Sequence, residues 1–266
     1  MVRAVGWRGT RAERSPVAGQ RTFALDLQTP NGAVRGTLPL PDRPVRLSEI
    51  VPVAMGIGGQ VVAQALRRAA DDGRPVTCGP ACGACCRQLV PVSVPEAFAV
   101  TAAVGALPPD LRERVTERFA ATAETLAARP DRHARLMRPP PDDAAAAATA
   151  RDYFALEVPC PFLEEESCSF HRFRPSICRE HNVSSPPALC RDPFANPVEP
   201  IPSPLRLSEV LARAHAHLYA LPAPRLLPLS LAPTWVADHP DLDRLAWPAG
   251  RLLTDLVAAM QRAMVT

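Results

Sequence analysis

The sequence predicts a mainly α fold, irregular in its connections, with a small β-hairpin near the N-terminus. Three observations carry this. Thirty-two prolines against 13 glycines interrupt the chain often, and proline ends helices and is shut out of sheet interiors. Between the prolines, alanine- and leucine-rich stretches repeat their apolar residues at helical spacing. No alternation of strand with helix and no internal repeat is present, which excludes the doubly wound sheet that binds nucleotides.

Taken in order, residues 1–20 carry Arg3, Arg8, Arg11 and Arg14 without a continuous apolar run, so they read as a disordered basic tail lacking the core of an export signal. Arg21 to Leu27 and Ala33 to Leu38 are short strand-like runs, and the Asn31-Gly32 pair between them favours a tight hairpin turn. Ser48 is placed to cap a helix running to about Asp72, with Ile50, Ala54, Ile57, Val61, Ala65 and Leu66 roughly on one face. Gly73 and Pro75 stop it. Ile50 to Leu66 within it is also the longest uncharged stretch, but Pro52, Gly56, Gly58, Gly59, Gln60 and Gln64 make it a poor bilayer crosser, and no membrane span is expected. Gly56-Ile-Gly-Gly59 reads as helix, since it follows no strand and lacks the spacing of a phosphate cradle.

Gln88 to Val94 is a short strand-like run, followed by a buried helix from Pro95 to Leu107. Asp110 and Glu113 have the spacing of a cap for a further helix whose face is Leu111, Val115, Phe119, Ala123 and Leu126. Pro139 to Asp143 breaks the chain before an alanine-rich helix that ends near Leu156. Two more helices are expected, near Ser208 to Ala220 and Arg251 to Met264, the last with an apolar stripe of Leu252, Leu253, Leu256, Met260 and Met264.

The bulk numbers narrow the functional classes. At 266 residues and 47% hydrophobic composition the chain buries a real core without disulfide staples. Its 30 basic and 27 acidic residues are interspersed for a net charge of +3, so no nucleic-acid footprint exists and no nucleic-acid partner is expected.

All eight cysteines fall into two blocks. Cys78, Cys82, Cys85 and Cys86 lie within nine residues; Cys160, Cys168, Cys178 and Cys190 follow some seventy residues later. Without an export signal the expected compartment is the cytoplasm, where clustered thiols mean metal more often than disulfide. Thiolates are soft ligands that suit zinc or an iron-sulfur cluster, not magnesium or calcium. The spacing i, i+4, i+7, i+8 of the first block would share a helix face, whereas Gly79, Pro80 and Gly83 suggest a loop wrapped around an ion. Adjacent Cys85 and Cys86 diverge as neighbours do, so they need not serve one centre. A four-thiolate centre is anionic and draws nearby cations; Arg87, Arg172, Arg174, Arg179 and Arg191 are candidates. His171 and His181 are available to replace a thiolate but are better placed as supporting groups. The fold expected is therefore metal-centred, with a hairpin and helix over 21–74, a cysteine-cluster domain over 75–192 and a helical extension over 193–266 packed on the core.

The two blocks resemble the YkgJ-like cysteine-cluster family, known by its CxxCxxCC signature and described as zinc- or iron-chelating. The resemblance rests on Cys78, Cys82, Cys85 and Cys86, on Cys-Pro-Phe-Leu at 160–163, on Cys168, and on Arg174, Pro175, Cys178 and Arg179. It spans roughly residues 75 to 190. Where many members carry Ile-Tyr after the cysteine matching Cys168, this chain has Ser169, Phe170 and His171. The resemblance implies metal binding by the eight cysteines, and its best-described relatives, flagellin lysine N-methylases, make an iron-sulfur protein methylase one alternative. Cys78, Cys82 and Cys85 also reproduce the ligand spacing of radical S-adenosylmethionine enzymes, but the strand-helix repeat of their barrel is missing. A redox sensor or metal-delivery protein using a spare thiolate such as Cys85 or Cys86 is another alternative. The leading expectation is a chelating protein in which at least one centre takes sulfurs from both blocks.

Overall fold

The structure, a computed structural model, describes residues 19–79 and 81–265. The basic tail expected over 1–20 lies, but for its last two residues, outside them. Nine α-helices and no sheet larger than two strands occur among the described residues.

The hairpin pairs β1 (Gln20–Thr29) with β2 (Gly32–Pro41) antiparallel, in a register that sets Leu27 opposite Val34. Its turn is Pro30-Asn31, one residue before the expected pair, because Gly32 opens β2 with φ +118, a value glycine reaches without strain. After the short β3 (Pro44–Arg46), α1 (Leu47–Asp71) begins with Arg46 as its N-cap. Glu49 closes that cap: its carboxylate accepts from the Arg46 N–H at 2.9 Å and from Arg43 at 2.7 Å. Ser48, expected to cap, instead donates its hydroxyl to Asp243 at 2.6 Å and so ties α1 to the distant C-terminal segment. Gly73, at φ +79, ends the helix as expected. By length and composition α1 could cross a membrane, but half of its most apolar window is buried inside the fold.

Beyond the first cysteine block come β4 (Pro91–Ser93) and α2 (Val94–Gly105). Ser93 and Glu96 cap α2 reciprocally, the Ser93 N–H donating to Glu96 at 3.0 Å. Helix α3 (Pro109–Ala127) buries Val115, Phe119, Thr122 and Leu126; α4 (Pro130–Leu136), not foreseen, precedes α5 (Asp143–Phe154), which Asp142 caps. The second block contains the two-residue strands β5 (Leu163–Glu164) and β6 (Ser167–Cys168), the single-turn α6 (Ser176–Glu180), and β7 (Asn182–Val183), which pairs with β8 (Pro200–Ile201). The chain closes with α7 (Leu207–Leu218), β9 (Leu226–Pro228), α8 (Ala232–Asp238), β10 (Ala246–Pro248) and α9 (Ala249–Ala263).

Packing divides the molecule by sequence in an unexpected way. One buried core joins Leu25, Leu27, Ile50, Ile57 and Val61 to Leu205, Leu211, Leu252, Leu256 and Met260. The segments flanking the cysteines thus make a single body, and the α9 N-terminus approaches the hairpin so closely that a Cβ on Gly250 would meet the Phe23 ring at 2.5 Å. A second core gathers Val92, Ala97, Phe119, Phe162, Phe170, Leu227 and Trp235. It reaches the C-terminal third through β4 pairing with β9, Val92 opposite Leu227. The cysteine segment is therefore inserted between the halves of the first core and leans on the second.

Candidate metal centre

The first block folds as a loop. Successive turns are closed by the Cys82 N–H donating to Gly79 at 3.1 Å, the Cys86 N–H to Gly83 at 2.9 Å and the Gln88 N–H to Cys85 at 3.1 Å, so the chain wraps and no helix face forms. Hydrogen bonds made by Thr77, Cys160 and Gln88 join the first block to the second. The Thr77 N–H donates to the Val183 carbonyl at 3.0 Å, and its hydroxyl donates to the Ser185 backbone carbonyl at 2.5 Å. The Cys160 N–H donates to the Cys86 carbonyl at 2.7 Å, and the Gln88 amide to the Cys190 carbonyl at 3.1 Å. At Gly83 the loop runs against the β5–β6 hairpin, where an added Cβ would lie 2.7 Å from both the Glu166 carbonyl carbon and Leu163 Cδ1.

That hairpin turns through Glu165 and Glu166 at φ 49 and 58, the left-handed region that costs non-glycine residues about 1–2 kcal/mol each. Glu166 is held there by a two-pronged bond from Arg87, at 2.6 and 3.2 Å. Cys160 and Cys168 flank a stacked pair of rings, Phe162 and Phe170, with centroids 4.2 Å apart; Phe119 meets Phe162 edge-on at 5.3 Å. Cys178 sits in α6, strapped at both ends: Glu96 accepts from the Ser176 N–H at 3.0 Å, and Glu180 accepts from the Leu207 N–H at 2.9 Å. Cys190 is buried in a single 3-10 turn, Pro187–Arg191.

The eight thiols are all free, and six of them fall into two packed clusters, while Cys85 and Cys178 line a cavity with Cys78, Cys82 and Cys190. Cys160 and Cys168 pack against the second core. Cys190, with Ala84 and Val183, makes a small buried cluster against which Cys78, Cys82 and Cys85 lie. Burial pushes the Cys160 thiol up to about 12, with the charges of Cys168 and Cys85 adding to it and Arg118 opposing. Burial likewise holds Cys168 and Cys178 up, Cys178 also through Cys160, Cys85 and Cys168. Cys190 is raised to about 11 by burial and then by Cys85, Cys78 and Cys82. Cys85 alone goes down, to about 7, because the Cys86 thiol hydrogen-bonds to its sulfur, with Arg174 assisting; Cys86, as that donor, goes up. Thiols gathered this closely in a dry site repel one another once ionised, and a bound cation reverses that balance.

The donor set fits a soft metal: the fold brings thiols of both blocks close enough to shift one another's ionisation, a repulsion that positive charge relieves. Among the described residues no three His, Cys, Asp or Glu side chains already converge as a coordination group. Closing one requires the thiols to turn within the cluster.

Of the expected cations, Arg174 is near the sulfurs and steadies Cys85, Cys168 and Cys178. Arg87 is spent on Glu166, Arg179 donates to the Arg172 and Arg174 carbonyls, and Arg172 lies over Phe173. Arg118 was not legible in the sequence. It comes from α3, far from either block, and its buried Nε and Nη2 have no hydrogen-bond partner. Both histidines line the same small cavity as Cys78, Cys82 and Cys190, and burial lowers each.

Glu180 gives the strap a pH signature. Burial first, and then the charge of Glu96, raise it to about 7. A carboxyl held above its unfolded value adds stability that is complete below about pH 4.5 and is lost as pH rises through about 7. The loss amounts to about 3 kcal/mol over that window. Denaturation of the native chain and of Glu180→Gln at pH 5 and pH 8 measures it: the two should differ in their pH dependence by that amount, and parallel profiles would refute the assignment.

No curated protein and no solved structure matches the chain. A family model, CxxCxxCC, described as "Putative zinc- or iron-chelating domain", matches residues 77–197, under half of the chain but all eight cysteines. The match therefore falls on the segment that carries the two docked blocks.

Proposed function

We propose that the protein is a chelator that holds zinc or an iron-sulfur cluster through cysteines of both blocks, with at least one centre taking sulfurs from each. The observation that carries this reading is the docking of Cys86 on Cys160, backbone to backbone at 2.7 Å, with the thiols of Cys85, Cys86, Cys160, Cys168 and Cys178 close enough to raise or lower one another. Bound there, the metal would supply the positive charge that lets these thiols ionise in an apolar setting and would crosslink the two docked segments. Arg118 and Arg174 would offset the negative charge that remains.

Anaerobic purification with metal and sulfide analysis tests the reading. Iron with acid-labile sulfide and a brown colour identifies a cluster, and stoichiometric zinc in colourless protein identifies zinc. Protein that carries neither, and whose eight thiols titrate freely without loss of structure, would refute metal binding. Radical S-adenosylmethionine chemistry gains no support from this fold, whose described sheets are all two-stranded ribbons, unlike a barrel.

A further inference from the structure

The chain from His171 to His181 serves two surfaces. His171, Arg174, Cys178 and His181 line the small cavity that holds thiols, whereas Arg172, Phe173 and Arg179 line a separate groove of about 250 Å³. None of the eight cysteines lines that groove. Its remaining surface is apolar helix, chiefly Met55 and Gly56 of α1 and Ala99 and Ala103 of α2. Gly56 keeps it open: the residue is exposed, and a Cβ added there would meet no atom within 4 Å. Phe173 is exposed, with the Arg172 guanidinium 5.7 Å over its ring. Arg179 donates to the Arg174 and Arg172 carbonyls at 2.9 and 2.6 Å. Arg87 and Arg114 each reach a glutamate, but among the described residues neither Arg172 nor Arg179 pairs with a carboxylate.

An apolar seat beside two unneutralised guanidinium groups is complementary to an apolar side chain flanked by carboxylates. The groove is smaller than the roughly 300–1,000 Å³ of small-molecule pockets, and it suits a side-chain anchor. Two cations also fall short of the basic cluster of about four to eight that marks a lipid-binding surface. Residues 1–18 carry four arginines against one glutamate, the wrong charge for this seat. We propose that the groove between α1, α2 and the Arg172–Arg179 segment docks a partner protein through an acidic segment with an apolar anchor. The anchor fills the space over Gly56 beside Phe173, and its flanking carboxylates pair with Arg172 and Arg179. A partner seated there stands next to Cys178 without occupying the thiol cavity.

The test uses the full-length protein as isolated anaerobically and three fluorescein-labelled dodecapeptides. All three carry the same leucine and phenylalanine anchors, flanked by glutamate, glutamine or lysine. By fluorescence anisotropy the glutamate peptide should bind at least about tenfold tighter than the glutamine peptide, more weakly as salt rises, and the lysine peptide weakest of all. Gly56→Leu, which fills the groove, and Arg172→Glu, which reverses its charge, should each weaken the glutamate peptide about tenfold or more, with metal content and circular dichroism unchanged. Arg172→Glu, at an exposed position, is the safeguard should Gly56→Leu fail to fold. Equal affinity for the three peptides, or wild-type binding by both variants, would overturn the proposal and leave the chelating role standing. So would binding to phosphatidylglycerol vesicles that the glutamate peptide does not displace, which would make the groove a membrane contact.

Discussion

Phe162→Ala should cost about 3–5 kcal/mol of unfolding free energy, the range for removing a fully buried aromatic ring. Phe162 is 1% exposed and fills the space between Phe119 and Phe170, so the void left by its ring cannot collapse without moving α3 or the segment carrying Cys168. Its carbonyl also accepts from the Ser169 N–H at 2.8 Å, which holds Cys168 in register with Leu163. The loss should therefore appear twice, as a lower midpoint in denaturant and as substoichiometric metal in the purified protein. Phe173→Ala is the control, because that ring is 48% exposed. Equal losses from the two substitutions would contradict the packing described.

Gly83→Ala should have the next largest effect, about 1–3 kcal/mol from overpacking, together with weaker metal retention. The methyl would press on the backbone of Glu166, and backbone, unlike the tip of a flexible side chain, cannot step aside. Relief requires the first loop to lift from the β5–β6 hairpin, which separates Cys82 and Cys85 from Cys168. Gly79→Ala, in the same loop but with no atom within 4 Å of the added Cβ, should change stability by less than about 0.5 kcal/mol. Metal content and denaturation of the two variants side by side decide the matter, and identical behaviour would show that the close approach at Gly83 does not hold the blocks together.

The comparison of these glycines shows what the sequence conceals. Gly79 and Gly83 both read as turn residues, yet only Gly83 is demanded by a neighbour, and that neighbour is more than eighty positions away. The amphipathic stripe of Leu252, Leu253, Leu256 and Met260 was legible because helical periodicity is local, and all four are buried. The fold class and the hairpin were legible for the same reason. Pairing of Pro91–Ser93 with Leu226–Pro228 was not, since three-residue strands carry no period. Ser48 has the right identity for a helix cap, but a buried bond to Asp243 outcompeted that local role. At the site, the cysteines announced themselves by spacing. Arg118 and the straps from Glu96 and Glu180 could not, because an arginine or a capping glutamate looks the same wherever tertiary structure later puts it.

The split construction of the first core bears on how the protein is made. Leu25 to Val61 and Leu205 to Met260 must meet to complete it, and every cysteine lies between them. A ribosome adds about 5–20 residues per second, so on the order of ten seconds separate the appearance of Cys190 from that of the last core residues. During that interval the thiols hang as a loop between two unjoined halves, open to metal and to oxidant alike. Early chelation would clamp the loop and shorten the span the halves must close, easing the entropy of a contact so distant in sequence.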